Sequence, residues 1–265
     1  MIGIFDSGLG GLTALLEFSK IMPSEDIVYF GDTGRVPYGS RSREIILKYA
    51  SQDMRFLLTH DIDAVLIACG TVSSVALDIL RDEYEPLPIV GVVSGAAKRA
   101  AEATKNGIIG VIATSMTINS GSYTKAIEKI NPRLNVIGTA CPLFVSLVEN
   151  NYISSGDEVT YMVAQRYLQS IKESGADTLI LGCTHFPIIA PIIQKVLPGV
   201  KLINSAKEAA IELSAIVSSK RQPVSAKGKI KYYISDTPQN FNVSAEIFLN
   251  HSIENETEKI DIERY

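Results

Sequence analysis

Cysteine is scarce in this 265-residue chain, which has only Cys69, Cys141 and Cys183. Three is an odd number, so a secreted scaffold stapled by disulfides is excluded and a reducing, cytoplasmic setting is expected. Positive charge is not in excess either: 25 lysines and arginines stand against 29 acidic residues, for a net charge of −4. Such a chain has no electrostatic footprint for nucleic acid or an anionic membrane, and its one dense basic cluster, Arg41 to Arg43, is short. No apolar run reaches the roughly 18 to 20 residues that crossing a bilayer takes, and no charged leader or cleavage site precedes Gly3-Ile4-Phe5. With three histidines and no Cys-x-x-Cys pair or His/Cys cluster, no metal site is expected. The run Gly8-Leu9-Gly10-Gly11 lacks the Gly-Lys-Ser/Thr ending of a P-loop and the spacing of a dinucleotide fingerprint. It reads better as a tight turn whose amides, with Ser7, face a small anion.

What is present is a globular composition, 46% hydrophobic and 20% charged, long enough for two compact domains. Short Val/Ile/Leu-rich runs alternate with helix-period stretches. The runs are Ile2–Phe5, Ile27–Phe30, Ala64–Ala68, Ile89–Val93, Ile108–Ala113, Asn135–Gly138, Thr178–Gly182 and Val200–Ile203. Helices are read over Gly11–Met22, Arg43–His60, Ser94–Lys105, Asn119–Lys129, Asp157–Glu173 and Ile188–Leu197. Runs apolar on both faces fit parallel strands covered by helices. The fold class is therefore α/β, with two similar domains of parallel-rich sheets flanked by helices.

The chain also echoes itself. Asp63-Ala-Val-Leu-Ile-Ala-Cys69 is matched by Asp177-Thr-Leu-Ile-Leu-Gly-Cys183, Leu87-Pro88 by Leu197-Pro198, and Gly3-Ile-Phe-Asp-Ser7 by Gly110-Val-Ile-Ala-Thr114. The three pairs keep their order at an offset of roughly 110 residues, which points to duplication. Ligands of open α/β sheets bind beyond the carboxyl ends of the strands, so two facing halves would bring Cys69 and Cys183 to one cleft from opposite sides.

A buried packing role is the bland reading of either cysteine alone; the matched pair favours chemistry. Each thiol precedes residues that can start a helix, where terminal amides lower a thiol's pKa. Inverting an α-carbon takes a proton from one face and returns one to the other, which suits one thiolate and one thiol of similar acidity. A cysteine hydrolase would instead need one thiol, a neighbouring histidine and an oxyanion hole. His185, two residues after Cys183, is placed to polarise that thiol or to meet a substrate carboxylate. His60 and His251 read as surface histidines. Gly31 to Gly39 is a donor-rich loop with a plain connection as its alternative. Cys141 is read as structural, since its counterpart near Val36-Pro37 holds no thiol, and spacing leaves Glu149 open between a site role and a solvated helix end.

In combination, Phe5-Asp-Ser-Gly-Leu-Gly-Gly11, Tyr29-Phe-Gly-Asp-Thr33, Val36-Pro-Tyr-Gly39, Ala68-Cys69, Cys141-Pro-Leu-Phe-Val145 and Leu181-Gly-Cys-Thr-His-Phe-Pro187 resemble the glutamate racemase family of the aspartate/glutamate racemase superfamily. The resemblance implies a first domain of residues 1–93 plus 208–265 and a second, 94–207, inserted into it. It implies interconversion of L- and D-glutamate without pyridoxal phosphate or metal, supplying D-glutamate for peptidoglycan. Cys69 would take the α-proton of D-glutamate and Cys183 that of L-glutamate, assisted by Asp6, His185 and Glu149. Asp6, Ser7, Tyr38, Gly39, Gly70, Thr71, Thr184 and His185 would hold the substrate. The family usually has asparagine after its first cysteine where this chain has Gly70, so restoring asparagine there is expected to keep or improve glutamate affinity. Another small-amino-acid racemase, such as one acting on aspartate, and a non-catalytic dicarboxylate-binding module are the competing readings; a homodimer is left open.

Overall fold

Strands that are apolar on both faces need cover on both faces, and the chain supplies it by alternating strand and helix. A computed structural model describes residues 1–219, 227–249, 251–253 and 256–265. The first round contains β1 (Ile2–Asp6), α1 (Leu12–Ile21), β2 (Ile27–Gly31), α2 (Arg43–Leu57), β3 (Ala64–Ile67), α3 (Gly70–Val75), α4 (Leu77–Glu83), β4 (Ile89–Gly91) and α5 (Val92–Ala103). The second contains β5 (Ile108–Ala113), α6 (Ser115–Ser120), α7 (Ser122–Ile130), β6 (Asn135–Ala140), α8 (Pro142–Glu149), α9 (Glu158–Tyr167), α10 (Gln169–Ser174), β7 (Thr178–Leu181), α11 (Ala190–Val196) and β8 (Lys201–Asn204). Then come α12 (Ser205–Ser218), β9 (Ile230–Ile234), α13 (Pro238–Leu249) and β10 (Thr257–Lys259). No helix among the described residues is long and apolar enough to cross a membrane.

Two all-parallel sheets result, ordered β10-β9-β2-β1-β3-β4 and β6-β5-β7-β8. The duplication read from the sequence is visible in the topology: β2-β1-β3-β4 of one sheet has the order of β6-β5-β7-β8 in the other. Ile2 pairs with Ala64 and Phe5 with Ile67, while Ile109 pairs with Thr178 and Ile112 with Leu181. Each cysteine thus stands two residues beyond the last residue of the middle strand of its half. The repeated aspartates also share a task. Asp63 binds the amino terminus, just ahead of β1, and Asp177 accepts from the Lys105 and Asn106 amides at 2.7 and 2.8 Å, just ahead of β5. Both tie the start of one strand to the start of its neighbour.

Helix bounds depart from the periodic reading where the backbone is interrupted. The stretch around 119–129 is two helices, α6 and α7, parted by Gly121 in the left-handed region at φ 65°; that conformation suits glycine. The stretch 157–173 divides at Leu168 into α9 and α10. α3, α4, α12 and α13 were not read as helices, although α12 carries apolar residues at helical spacing, Ala206, Ala209, Ala210, Leu213 and Val217, and buries them; β9 and β10 were not read as strands. The topological counterpart of Cys141 is Asp32, the residue after β2, because Gly31 and Ala140 occupy equivalent ends of β2 and β6; the pairing with Val36-Pro37 is corrected, and no thiol stands at either place.

The loop after β2 is pinned by one guanidinium. Arg35 donates to Asp32 at 2.7 Å, to Asp53 at 3.1 Å, to Gln52 at 2.6 Å and to Glu263 at 3.2 Å, and lies over the Tyr49 ring. Asp32 and Asp53 are fully buried. Burial, with the nearby Asp32 charge, pushes the Asp53 carboxyl well above its usual range. Removing the cation would leave these acids uncompensated in the interior. Arg35→Met is therefore expected to lower the unfolding free energy in urea at neutral pH by about 3–5 kcal/mol; a loss below about 1 kcal/mol would show that the loop is held by other contacts.

Candidate active site

The carboxyl ends of β1, β3, β5 and β7 surround a cavity of about 300 Å³. Its walls include Ser7, Tyr38, Gly39, Cys69, Gly70, Thr71, Glu149, Cys183, Thr184 and His185. Ten of the residues singled out from sequence therefore meet at one place, although they span the first 185 positions. Asp6 is the exception: it lies beneath the lining, 1% exposed. The volume is at the small end for ligand sites, as a compact amino acid requires.

On one wall, Cys69 caps the start of α3, and its Sγ lies 3.6 Å from Ser7 Oγ. The sequence placed it where helix amides lower a thiol's pKa; the outcome is opposite. Burial outweighs the Val72 amide, Asp6 adds to the effect, and the thiol is pushed up to about 12. Asp6 is itself held above its ordinary value, by burial first, against the opposing pull of His185. One carboxylate oxygen accepts from the Gly8 amide at 3.0 Å; the other has no hydrogen-bond partner among the described residues. The glycine run after Asp6 is tight for packing reasons, since a Cβ at Gly11 would collide with the Asp6 side chain.

On the opposite wall, Cys183 Sγ lies 3.8 Å from His185 Nδ1, and His185 Nε2 meets Glu149 Oε1 at 2.8 Å. Glu149 ends α8, so the choice left open by spacing falls on the site. Burial opposes a charge on the imidazole, but its bonds to Cys183 and Glu149 outweigh that and hold its pKa up at about 10. Phe248 of α13 stands edge-on to the ring, 5.4 Å between centroids. This chain of Glu149, His185 and Cys183 keeps a positive charge beside the sulfur.

The remaining predicted residues divide by what their polar atoms do. Thr71 Oγ1 is 3.0 Å from Thr114 Oγ1, across the cleft. The Thr184 carbonyl accepts from Thr13 at 3.0 Å. Tyr38 lines the cavity, and its hydroxyl donates to Asp32 and contacts Asp53, which ties the loop down. His60 and His251 lie away from the cavity lining; His60 packs against Phe56 and Tyr233. Cys141 is fully buried, and burial raises its thiol's pKa strongly. Residues given no site role from sequence also line the cavity, among them Ser40, Thr114, Ser115 and Ser146. For Thr114 the signal was available, because the internal echo aligns it with Ser7.

Similarity to known proteins follows the same outline. The family described as Asp/Glu/Hydantoin racemase matches residues 19–213. The chain is 44% identical to the glutamate racemase of Geobacter metallireducens, over 91% of this chain and 89% of that one. It is 40% identical to that of Persephonella marina, over 99% and 98%. The crystal structure of glutamate racemase from Francisella tularensis subsp. tularensis in complex with D-glutamate superimposes with a TM-score of 0.92 at 37% identity, covering 100% of this chain and 98% of that one.

The electrostatic account of His185 is open to direct measurement. Glu149→Gln removes one of the two groups that favour the imidazolium, so the ring pKa should fall below about 10, read by NMR titration of the ring nitrogens. An unchanged ring pKa would mean that Glu149 does not sustain the charge.

Proposed function

The chain belongs to the glutamate racemase family, and from that premise we propose that it interconverts L- and D-glutamate by two-thiol proton transfer at the α-carbon. The observation that carries the proposal is the pair of buried cysteines, from equivalent ends of β3 and β7, opening on one cavity from two halves of a duplicated fold. In the direction from L to D, the Cys183 sulfur, as thiolate beside the His185 imidazolium, takes the α-proton. The Cys69 thiol gives its own proton to the other face. The C–H bond to one side breaks, the C–H bond to the other forms, and the two sulfurs have exchanged protonation states. The reverse reaction starts with Cys69 as the base, assisted by Asp6. The raised Cys69 pKa suits it to hold the proton it delivers.

The chain's own thiols supply the acid and the base, so the cycle proceeds without a pyridoxal or metal group. Ser7, Gly39, Gly70, Thr71 and Thr184 provide backbone and hydroxyl groups for the substrate's carboxylates and ammonium, while His185 lines one wall and Asp6 lies beneath the other. Tyr38 contributes through the loop that it anchors. The product serves peptidoglycan synthesis. The thiols must stay reduced to exchange protons, which fits a cytoplasmic location.

The first domain is assigned to residues 1–93 plus 208–265 and the second to 94–207. Support comes from β9 and β10 joining the sheet of β1 to β4; residues 220–226, 250, 254 and 255 of the first domain lie outside the described residues. A homodimer is also proposed, because Leu143, Tyr152, Val159 and Met162, on and between α8 and α9, expose large apolar side chains.

The test is to incubate the purified chain with each glutamate enantiomer, with no cofactor added, and to follow optical rotation. Both enantiomers should racemise. Cys69→Ala and Cys183→Ala should each lose at least about 10³-fold in kcat, since every turnover needs both groups, while Cys141→Ala should stay close to the native rate. Near-native racemisation by either of the first two would contradict the assignment.

A further inference from the structure

The loops that carry the two thiols meet through backbone at Gly70. This residue follows Cys69 and is buried at the start of α3. A Cβ built on it falls on the carbonyl oxygen of Gly182, the residue before Cys183, closer than real Cβ contacts come, with the Gly182 carbonyl carbon 3.5 Å away. Gly70 is not among the residues with positive φ, so its backbone conformation is open to any side chain. What excludes a side chain is space.

The segment that carries the obstacle is tied to a sheet. Gly182 donates its amide to Ile112 O at 2.8 Å, continuing the pairing of β7 with β5. It is hemmed in on its other side: a Cβ there would meet Tyr123 Cε2 at 2.9 Å, Ile112 O at 3.0 Å and Ala113 Cβ at 3.2 Å. Gly39, elsewhere along the same seam, differs in kind. An added Cβ at Gly39 meets the Thr114 side chain, whereas one at Gly70 meets main chain held by a sheet.

We infer that Gly70 is a positioning residue: by having no side chain, it sets how closely the Cys69 and Cys183 loops approach across the cavity. The inference rests on the reading of those cysteines as the acid/base pair. It also reverses the expectation formed from sequence. Asparagine at 70 would not simply add an amide to the site, because any Cβ there forces the loops apart until the Gly182 oxygen clears it. A misplacement on the order of an ångström between reacting groups costs up to about 100-fold in rate.

Gly70→Ala tests this with the smallest side chain and no new polar group. Gly70→Asn adds the family's amide, and Gly156→Ala, where nothing lies within 4 Å of an added Cβ, serves as the control. Three quantities are read: kcat and KM for both enantiomers, the thermal midpoint, and the rate at which iodoacetamide alkylates Cys69 and Cys183. For Gly70→Ala, kcat per folded site should fall about 10- to 100-fold in both directions. KM should move much less, and the midpoint should stay near the native value, because the seam opens while each half keeps its core. Alkylation of both thiols should quicken several-fold. Gly70→Asn should also lose kcat, and Gly156→Ala should match the unaltered chain throughout.

Native kcat with native alkylation rates in Gly70→Ala overturns the inference. So does a Gly70→Asn chain with kcat/KM above native, which would make the missing amide the controlling feature. A Gly70→Ala chain that does not fold also contradicts it, since an opening seam relieves the clash without unfolding either half. If the unaltered chain fails to racemise glutamate, the thiol reading falls by itself, and the alkylation rates still decide whether Gly70 sets the approach.

Discussion

Moving a proton off one face of a carbon and onto the other requires two groups held on opposite walls of one cavity, and the ladders between β1 and β3 and between β5 and β7 provide that hold. In each half the middle strand is paired on both sides, so the residue two places beyond its end is among the best-located in the domain. Cys69 and Cys183 occupy those two places. Asp6, His185 and Glu149 then set the charge around two sulfurs whose positions follow from strand pairing.

The halves share a topology but have diverged in how they treat their thiol. Cys69 sits beside a buried carboxylate, Asp6, and both environments favour the protonated sulfur. Cys183 sits beside an imidazole that Glu149 helps to keep charged. Two carboxylates thus act in opposite senses: one repels a charge on its cysteine directly, the other supports a cation that attracts one. The two walls therefore differ in charge, a buried carboxylate behind one sulfur and an imidazolium beside the other.

Much of this was legible in the residues. The eight apolar runs of the first 204 positions all hold strands; in β1 to β5 and β7 burial on both faces leaves a continuous apolar signature, whereas β6 and β8 are edge strands with exposed residues. The aspartate six places before each cysteine marked the duplication, and the structure shows why it recurs: Asp63 and Asp177 both tie neighbouring strand starts together. Less legible was anything decided by contact across the chain. Cys69 has a raised pKa because burial beats a helix amide, which no local pattern reveals. Nor does any local pattern show that the Tyr38 hydroxyl is engaged by Asp32 and Asp53. Gly70 looked like a missing side chain, and only the position of the Gly182 carbonyl, 112 residues away in sequence, shows that a side chain does not fit. β9 and β10 were missed because charged residues, Lys231 in one and Glu258 and Lys259 in the other, break up any continuous apolar run.

The central claim is that each face of the α-carbon has its own sulfur, and hydrogen isotopes separate the faces directly. L-glutamate is incubated with the chain in deuterated water and sampled during the first few per cent of conversion. The account predicts D-glutamate already carrying deuterium at the α-carbon, delivered by Cys69, while the remaining L-glutamate carries almost none. Rapid deuteration of the L-glutamate pool ahead of racemisation, or a D-glutamate product that retains the original hydrogen, would contradict it.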